Sequence, residues 1–229
     1  MKILITSGGT SEAIDRVRSI TNHATGTLGK IIAERCLEAQ LEVTLVTTKT
    51  AVKPQAQEGL TVVEISDVTS LIHILKDLVP KHDAIIHSMA VSDYSPVYMT
   101  GLAEVADAPT IDSLLTKTNA EGKISSKDEY QVLFLKKTPK VISLIKQWNP
   151  AIRLIGFKLL VDVSKEELFQ VARASLITNQ ADYILTNDLA DICPTRHGAY
   201  LIDQENVYPA QTKEEIADLI LDKLLEKRR

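Results

Sequence analysis

Apolar positions along this chain fall into two alternating rhythms. Lys2–Thr6 is a short, near-continuous apolar run, as in a strand buried on both faces. Leu28–Gln40 follows with Leu28, Ile31, Ile32, Cys36 and Leu37 at helical spacing on one face. Glu42–Thr47 and Thr61–Ile65 return to the strand rhythm. Ser66 reads as the cap of a helix carrying Val68, Leu71, Ile72, Leu75 and Leu78, stopped by Pro80. Ala84–His87 is a fourth short apolar strand. Such strands alternating with amphipathic helices predict a parallel sheet covered by helices on both faces.

The second half is less regular. Ser92–Lys127 is polar and broken by Pro96, Gly101, Pro109 and Gly122, and reads as a loop or flap rather than core. Gln131–Leu135 reads as a strand, and Thr138-Pro139 as the opening of a helix, threonine at the cap and proline in the first turn. Arg153–Phe157 is a strand. Ser164-x-x-Glu167 is a capping box that starts a helix running to about Gln180, and Tyr183–Leu185 is the last central strand. Ala199–Ile202 and Val207–Tyr208 flank Asp203-Gln-Glu-Asn206 as a hairpin. Thr212-x-x-Glu215 caps a closing helix whose basic end suits its dipole. No repeat or linker interrupts the pattern, so residues 1–229 read as one domain with a mobile flap within 92–127.

Composition narrows the classes. With 45 % hydrophobic and 24 % charged residues, the 229-residue chain has the balance of an ordinary globular protein. A net charge of −4 and only 4 % aromatics argue against nucleic-acid binding, which needs a basic stripe or stacking platforms. Cys36 falls on a helix's apolar face and reads as a buried thiol. Cys193 and His197 lack partner ligands for zinc, and His87, in an apolar strand, reads as a core histidine. Lys227-Arg-Arg229 reads as a solvated tail. No signal peptide or membrane-length apolar run is present, which points to a cytoplasmic protein with no membrane partner.

The chemistry is concentrated near the start. Ile3-Leu-Ile-Thr-Ser-Gly-Gly-Thr10 ends an apolar run in small, hydroxyl-bearing residues, and Thr21-Asn-His-Ala-Thr-Gly26-Thr-Leu-Gly29 stands at the mouth of a helix. Glycine lets backbone amides approach phosphate oxygens, and a helix N-terminus adds partial positive charge. Two familiar cradles are absent. Gly29-Lys30 has Ala24 where the P-loop needs glycine and Ile31 where it needs Ser or Thr, and Gly8-Gly9-Thr10 does not extend to G-x-G-x-x-G. Between the clusters, Arg16, Arg18 and Asn22 suit an anionic substrate and a polarised carbonyl.

Several segments together resemble phosphopantothenoylcysteine synthetase. They are Ile5-Thr-Ser-Gly-Gly-Thr10, Asp15-x-Val-Arg18-x-Ile-x-Asn22-His-x-x-Gly26-x-x-Gly29, Ala90-Val-Ser-Asp93-Tyr94, Lys123-Ile-x-Ser126, Lys137-Thr-Pro139, Gly156-Phe157-Lys158 and Thr186-Asn187-Asp188. The similarity runs from Met1 essentially to the C-terminus, in order and spacing. The fold it and the pattern lead us to expect is three-layer α/β/α, with a mostly parallel Rossmann-like sheet and a C-terminal β-hairpin. The resemblance implies a ligase joining 4′-phosphopantothenate to L-cysteine in coenzyme A biosynthesis. The carboxylate attacks the nucleotide α-phosphorus and releases pyrophosphate; the cysteine amine then displaces the nucleoside monophosphate from the acyl-nucleotide. No flavin-binding domain precedes the match, so the stand-alone form is expected, as a homodimer using Mg²⁺ on the nucleotide.

Roles follow from the resemblance residue by residue. Gly8, Gly9, Thr10 and Gly26 would surround the phosphates. Asn22 would hold the acyl carbonyl as it turns tetrahedral, and Arg18 would neutralise an anionic part of phosphopantothenate unless an ion pair with Glu12 or Asp15 occupies it. Ala90 and Asp93 would approach the nucleotide just beyond a strand's carboxyl end. Lys123 would swing over the triphosphate. Lys137, Thr138 and Pro139 would present a helix N-terminus to the nucleotide, and Phe157 would pack on base or ribose, or in the core. Where CTP-using bifunctional relatives carry two lysines on the helix before the final strand, Ser175 and Asn179 stand here. The Gly8-Gly9-Thr10 run, Phe157-Lys158-Leu159 and Arg173 look more like the ATP-accepting eukaryotic enzymes. CTP is the expected nucleotide, with ATP the alternative. Two rivals remain: an NAD(P)-binding oxidoreductase, disfavoured by the missing glycine fingerprint and Tyr-x-x-x-Lys pair, and a nucleotide sensor without catalysis, which would not need Arg18, Asn22 and Lys123 together.

Overall fold

The computed structural model describes residues 1–193 and 196–226; the basic run Lys227-Arg-Arg229 lies outside them. The chain opens with strand β1 (Lys2–Ser7), a small ribbon of β2 (Ser11–Ala13) and β3 (Ser19–Thr21), and helix α1 (Thr27–Glu38). Strands β4 (Glu42–Thr48) and β5 (Leu60–Ile65), helix α2 (Val68–Leu78) and strand β6 (Ala84–His87) follow. Next come β7 (Tyr94–Gly101), the short helices α3 (Leu102–Asp107) and α4 (Asp112–Leu115), and β8 (Gln131–Lys137). Helix α5 (Val141–Trp148), β9 (Arg153–Leu160), α6 (Lys165–Thr178) and β10 (Tyr183–Asp188) lead to a short pair, β11 (Ile192–Cys193) and β12 (Arg196–His197). The last elements are β13 (Ala199–Ile202), β14 (Val207–Ala210) and α7 (Lys213–Leu225).

The central sheet has eight strands in the order β14-β13-β10-β9-β6-β1-β4-β5. All neighbours from β10 to β5 are parallel, and the β13–β14 hairpin is added antiparallel at β10. Counted in chain order, the parallel strands run 3-2-1-4-5-6 across the sheet, the order of dinucleotide-binding folds. The winding reverses between β1 and β6, so a crevice opens beyond their carboxyl ends.

Alternation along the strands sorts side chains into two cores. Ile3, Ile5, Leu45, Ile86, Ile155, Leu185 and Leu201 pack under α1 and α7 with Ile32, Cys36, Ile216 and Ile220. Leu4, Val46, Ile85, Leu154 and Ile184 face α2, α5 and α6 through Leu71, Leu75, Ile145 and Leu176. This is the three-layer arrangement expected. Cys36 is fully buried, which pushes its thiol up to about 12. His87 is buried with Nδ1 2.8 Å from the Thr6 hydroxyl, a satisfied core histidine as expected.

Some element boundaries differ from the sequence reading. Asp67, not Ser66, caps α2: its carboxylate accepts from the Ser70 amide while the Ser70 hydroxyl accepts from the Asp67 amide. Thr138-Pro139 does not open the next helix, because α5 begins at Val141 after Lys140. Segment 92–127 is not all loop: β7 pairs with β8 as a ribbon separate from the central sheet, with α3 and α4 between them. β8 is therefore a strand, as expected, but lies outside the central sheet. The closing helix ends not only on its own basic residues. The buried Arg153, from the start of β9, donates to the carbonyls of Lys223, Leu224 and Glu226 at 2.9, 2.6 and 3.1 Å.

Candidate functional site

The loops leaving β1 and β6 are laced together by the backbone. The Ala90 amide donates to the Gly8 carbonyl at 2.8 Å, and the Thr10 amide donates to the Ala90 carbonyl at 3.1 Å. Thr10 then shares its buried hydroxyl with Ser92, at 2.9 Å from both the Ser92 hydroxyl and the Ser92 amide. The Thr138 hydroxyl donates to the Ser92 carbonyl at 2.5 Å, and the Thr138 amide to the Asp93 carbonyl at 2.9 Å. Three turns far apart in sequence are thus joined at the point where the winding reverses. Thr138 belongs to this site as a clasp between turns rather than as a helix cap.

Glycines set how closely the first turn and α1 approach. Gly8 has φ 83° and Gly26 has φ 81°, the left-handed region that disfavours a Cβ. Gly29, in the first turn of α1, has no room for one either: a Cβ there would lie 2.5 Å from the Ser7 Cβ. The helix start is thereby drawn onto the end of β1. Asp67, Ser164 and Thr212 cap α2, α6 and α7, whereas Gly26 provides no side-chain cap for α1. The Thr25 hydroxyl accepts from the Thr27 amide at 3.3 Å, and the first-turn amides that follow favour an anion.

Asn22 enters from the end of the β2–β3 ribbon. Its Nδ2 lies 3.4 Å from the Ala90 carbonyl, at the meeting of the two turns, and the side chain is exposed. The exposed Asp93 carboxylate is ion-paired with Lys140, a cation the sequence reading passed over. Arg18 and Lys123 form a second group. Arg18 is bound to Asp15, its Nη2 2.6 Å from Oδ2, so the ion pair weighed in the sequence reading is present. Lys123 is exposed between Gly122 and Ile124, both hydrogen-bonded to the 15–18 turn. Lys137 is exposed at the end of β8, opposite Tyr94. Phe157 is partly buried and packs against the α1–α7 core.

Among the described residues, no group of three or more His, Cys, Asp or Glu side chains is placed to hold a metal, and no helix is long and apolar enough to cross a membrane.

A parallel sheet with this strand order, with a glycine turn and a helix start at its reversal point, defines an α/β protein of Rossmann-like architecture. More particularly, residues 1–102 and 103–227 match the model of the DNA/pantothenate metabolism flavoprotein C-terminal domain, and the chain belongs to that family. It is 30 % identical over 227 residues to the coenzyme A biosynthesis bifunctional protein CoaBC of Thermococcus kodakarensis, covering 97 % of this chain and 50 % of that protein. The chain thus spans about half the length of the curated relatives it matches. Its fold is close to the crystal structure of a DNA/pantothenate metabolism flavoprotein from Streptococcus pneumoniae, with TM-score 0.94, 57 % identity and 98 % of both chains covered. At 17 % identity, a Cab2 variant in complex with phosphopantothenate-cysteine shares the fold, with TM-score 0.73 over 97 % of this chain and 85 % of that one.

Proposed function

We propose that the chain joins 4′-phosphopantothenate to L-cysteine, using a nucleoside triphosphate and passing through an acyl-nucleotide, in coenzyme A biosynthesis in the cytoplasm. The observation that carries this reading is the placement of the Asn22 amide donor at the junction of the Gly8–Thr10 and Ala90–Asp93 turns. Family membership supports it, as does the relatives' part in coenzyme A biosynthesis.

In the proposed first half-reaction, the pantothenate carboxylate attacks the α-phosphorus, and the bond to the β-phosphate oxygen breaks to free pyrophosphate. The turn amides and the first turn of α1 would hold phosphate oxygens, with Lys123 neutralising the leaving charge. Magnesium would arrive on the phosphates. In the second half-reaction, the cysteine amine attacks the acyl carbon and the nucleoside monophosphate leaves. Asn22 Nδ2 would donate to the carbonyl oxygen as it gains negative charge, a neutral donor that needs no titration. CTP is the nucleotide we favour, with ATP the alternative.

The test supplies purified protein with Mg²⁺, phosphopantothenate, cysteine and either CTP or ATP, and follows pyrophosphate and nucleoside monophosphate. Pyrophosphate release should require phosphopantothenate, and product should require cysteine as well. Asn22→Asp should keep pyrophosphate release but lose roughly 100- to 1,000-fold in product formation, the usual effect of removing one oxyanion donor. Nucleotide turnover independent of both substrates would sink the proposal.

A further inference from the structure

The carboxylate of Asp15 divides its two oxygens between local and distant partners. Oδ1 accepts the amides of Val17 and Arg18, each at 2.8 Å, and so closes the turn between β2 and β3. Oδ2 accepts Arg18 Nε at 3.1 Å, Arg18 Nη2 at 2.6 Å, and the amide of Ile124, 109 positions away, at 3.1 Å. Two more bonds run between the same segments. Arg18 Nη2 donates to the Ile124 carbonyl at 3.2 Å, and the Arg16 amide donates to the Gly122 carbonyl at 3.1 Å. The Asp15 side chain has no exposed surface, and Ile124 is buried while its neighbour Lys123 is exposed.

We propose that Asp15 is a positioning residue whose Oδ2 straps the 122–124 segment to the 15–18 turn, fixing where Lys123 projects. The functional part rests on the role of Lys123 proposed above; the strap itself is a separate statement. A backbone held on both sides of one residue leaves only that side chain free to follow a moving anion. The hydrogen bonds from Arg18 are the largest cause holding the Asp15 carboxyl far below the ordinary carboxylate range, so the strap stays charged at neutral pH.

Asp15→Asn isolates the claim. Turned to keep its oxygen on Val17 and Arg18, the amide preserves the turn but sets its NH₂ against the donors of Arg18 and Ile124. Ile124→Pro removes the distant donor and leaves the Asp15–Arg18 pair, but also takes away the buried Ile124 side chain. Ile124→Ala, which trims that side chain and keeps the amide, is its control and should be cleaved at the wild-type rate. Asp15→Asn and Ile124→Pro should both show at least tenfold faster cleavage by Glu-C protease after Glu121, with thermal unfolding of the remaining domain unchanged. Asp15→Asn should also lower kcat for pyrophosphate release at least tenfold, and should cost nothing further in a Lys123→Ala background. Unchanged cleavage in both of these, or equally fast cleavage in Ile124→Ala and Ile124→Pro, overturns the strap. A full additional kcat loss in the Lys123→Ala background overturns action through Lys123. If Lys123→Ala alone releases pyrophosphate at the normal rate, the role given to Lys123 fails, while the cleavage result still decides the strap.

Discussion

His87 shows what a single buried side chain does to stability. Burial lowers its pKa to about 4, while the unfolded ring titrates near 6.5. Between those values the unfolded chain binds the extra proton. The contribution is therefore complete above about pH 6.5, falls as the pH drops, and is gone below about pH 4. At about 1.4 kcal/mol per pH unit, some 2–3 kcal/mol should disappear between pH 7 and 4.5. Urea unfolding at both pH values should show this extra loss in the wild type and not in His87→Asn; equal losses would place the acid sensitivity elsewhere. Residues such as His87 and Cys36 were legible because an apolar neighbourhood on the same element already states their surroundings. Asp15 was not. Its motif marks a turn, but its bond to Ile124 crosses 109 positions and leaves no local periodicity. Lys140 was hidden for a similar reason: only the meeting of two turns brings it beside Asp93.

Elements that pack on the two central cores could be read from the chain, whereas outside them only β8 of the β7–β8 ribbon was. The parallel strands and helices α1, α2, α6 and α7 announce themselves because each must present apolar side chains to a core. β7 belongs to a two-stranded ribbon and carries Pro96 at an irregularity in its pairing with β8, which breaks the alternation that marks a strand. The start of α5 was misplaced because Thr138 and Pro139 form a good cap sequence, yet Thr138 is engaged with Ser92 and Asp93 instead. Helix α7 depends on a residue outside itself. Arg153→Met keeps most of the buried stem but withdraws donors from three carbonyls at the helix end. Charge-assisted bonds of this kind are worth about 1.5–3 kcal/mol, so a loss of about 2 kcal/mol is expected in urea titration. Wild-type stability would show that solvent serves those carbonyls equally well.

At the scale of the whole molecule, the sheet order and crevice follow from alternation and handedness, whereas assembly does not. Leu102, Ile111, Leu115, Tyr130 and Leu135 are exposed along residues 102–135, in or next to α3, α4 and β8. Exposed apolar side chains on this segment suit contact with a second copy, and we propose a homodimer formed there. Light scattering should give twice the 25.3 kDa chain mass, reverting to one chain in Leu115→Glu/Leu135→Glu; a single-chain mass for the wild type would refute the dimer. The same ribbon has a different consequence. The excursion leaves the core after Asp93 and returns at Thr138, where the two ends are bonded to each other. Residues 94–137 are therefore an inserted cassette with a closed base. A change in its length between the points where Asp15, Arg16 and Arg18 hold residues 122–124 need not disturb the order of the parallel strands. Lys123 lies in this cassette, between two residues bonded to the 15–18 turn, so a change in cassette length would shift that lysine while leaving the glycine turn in place.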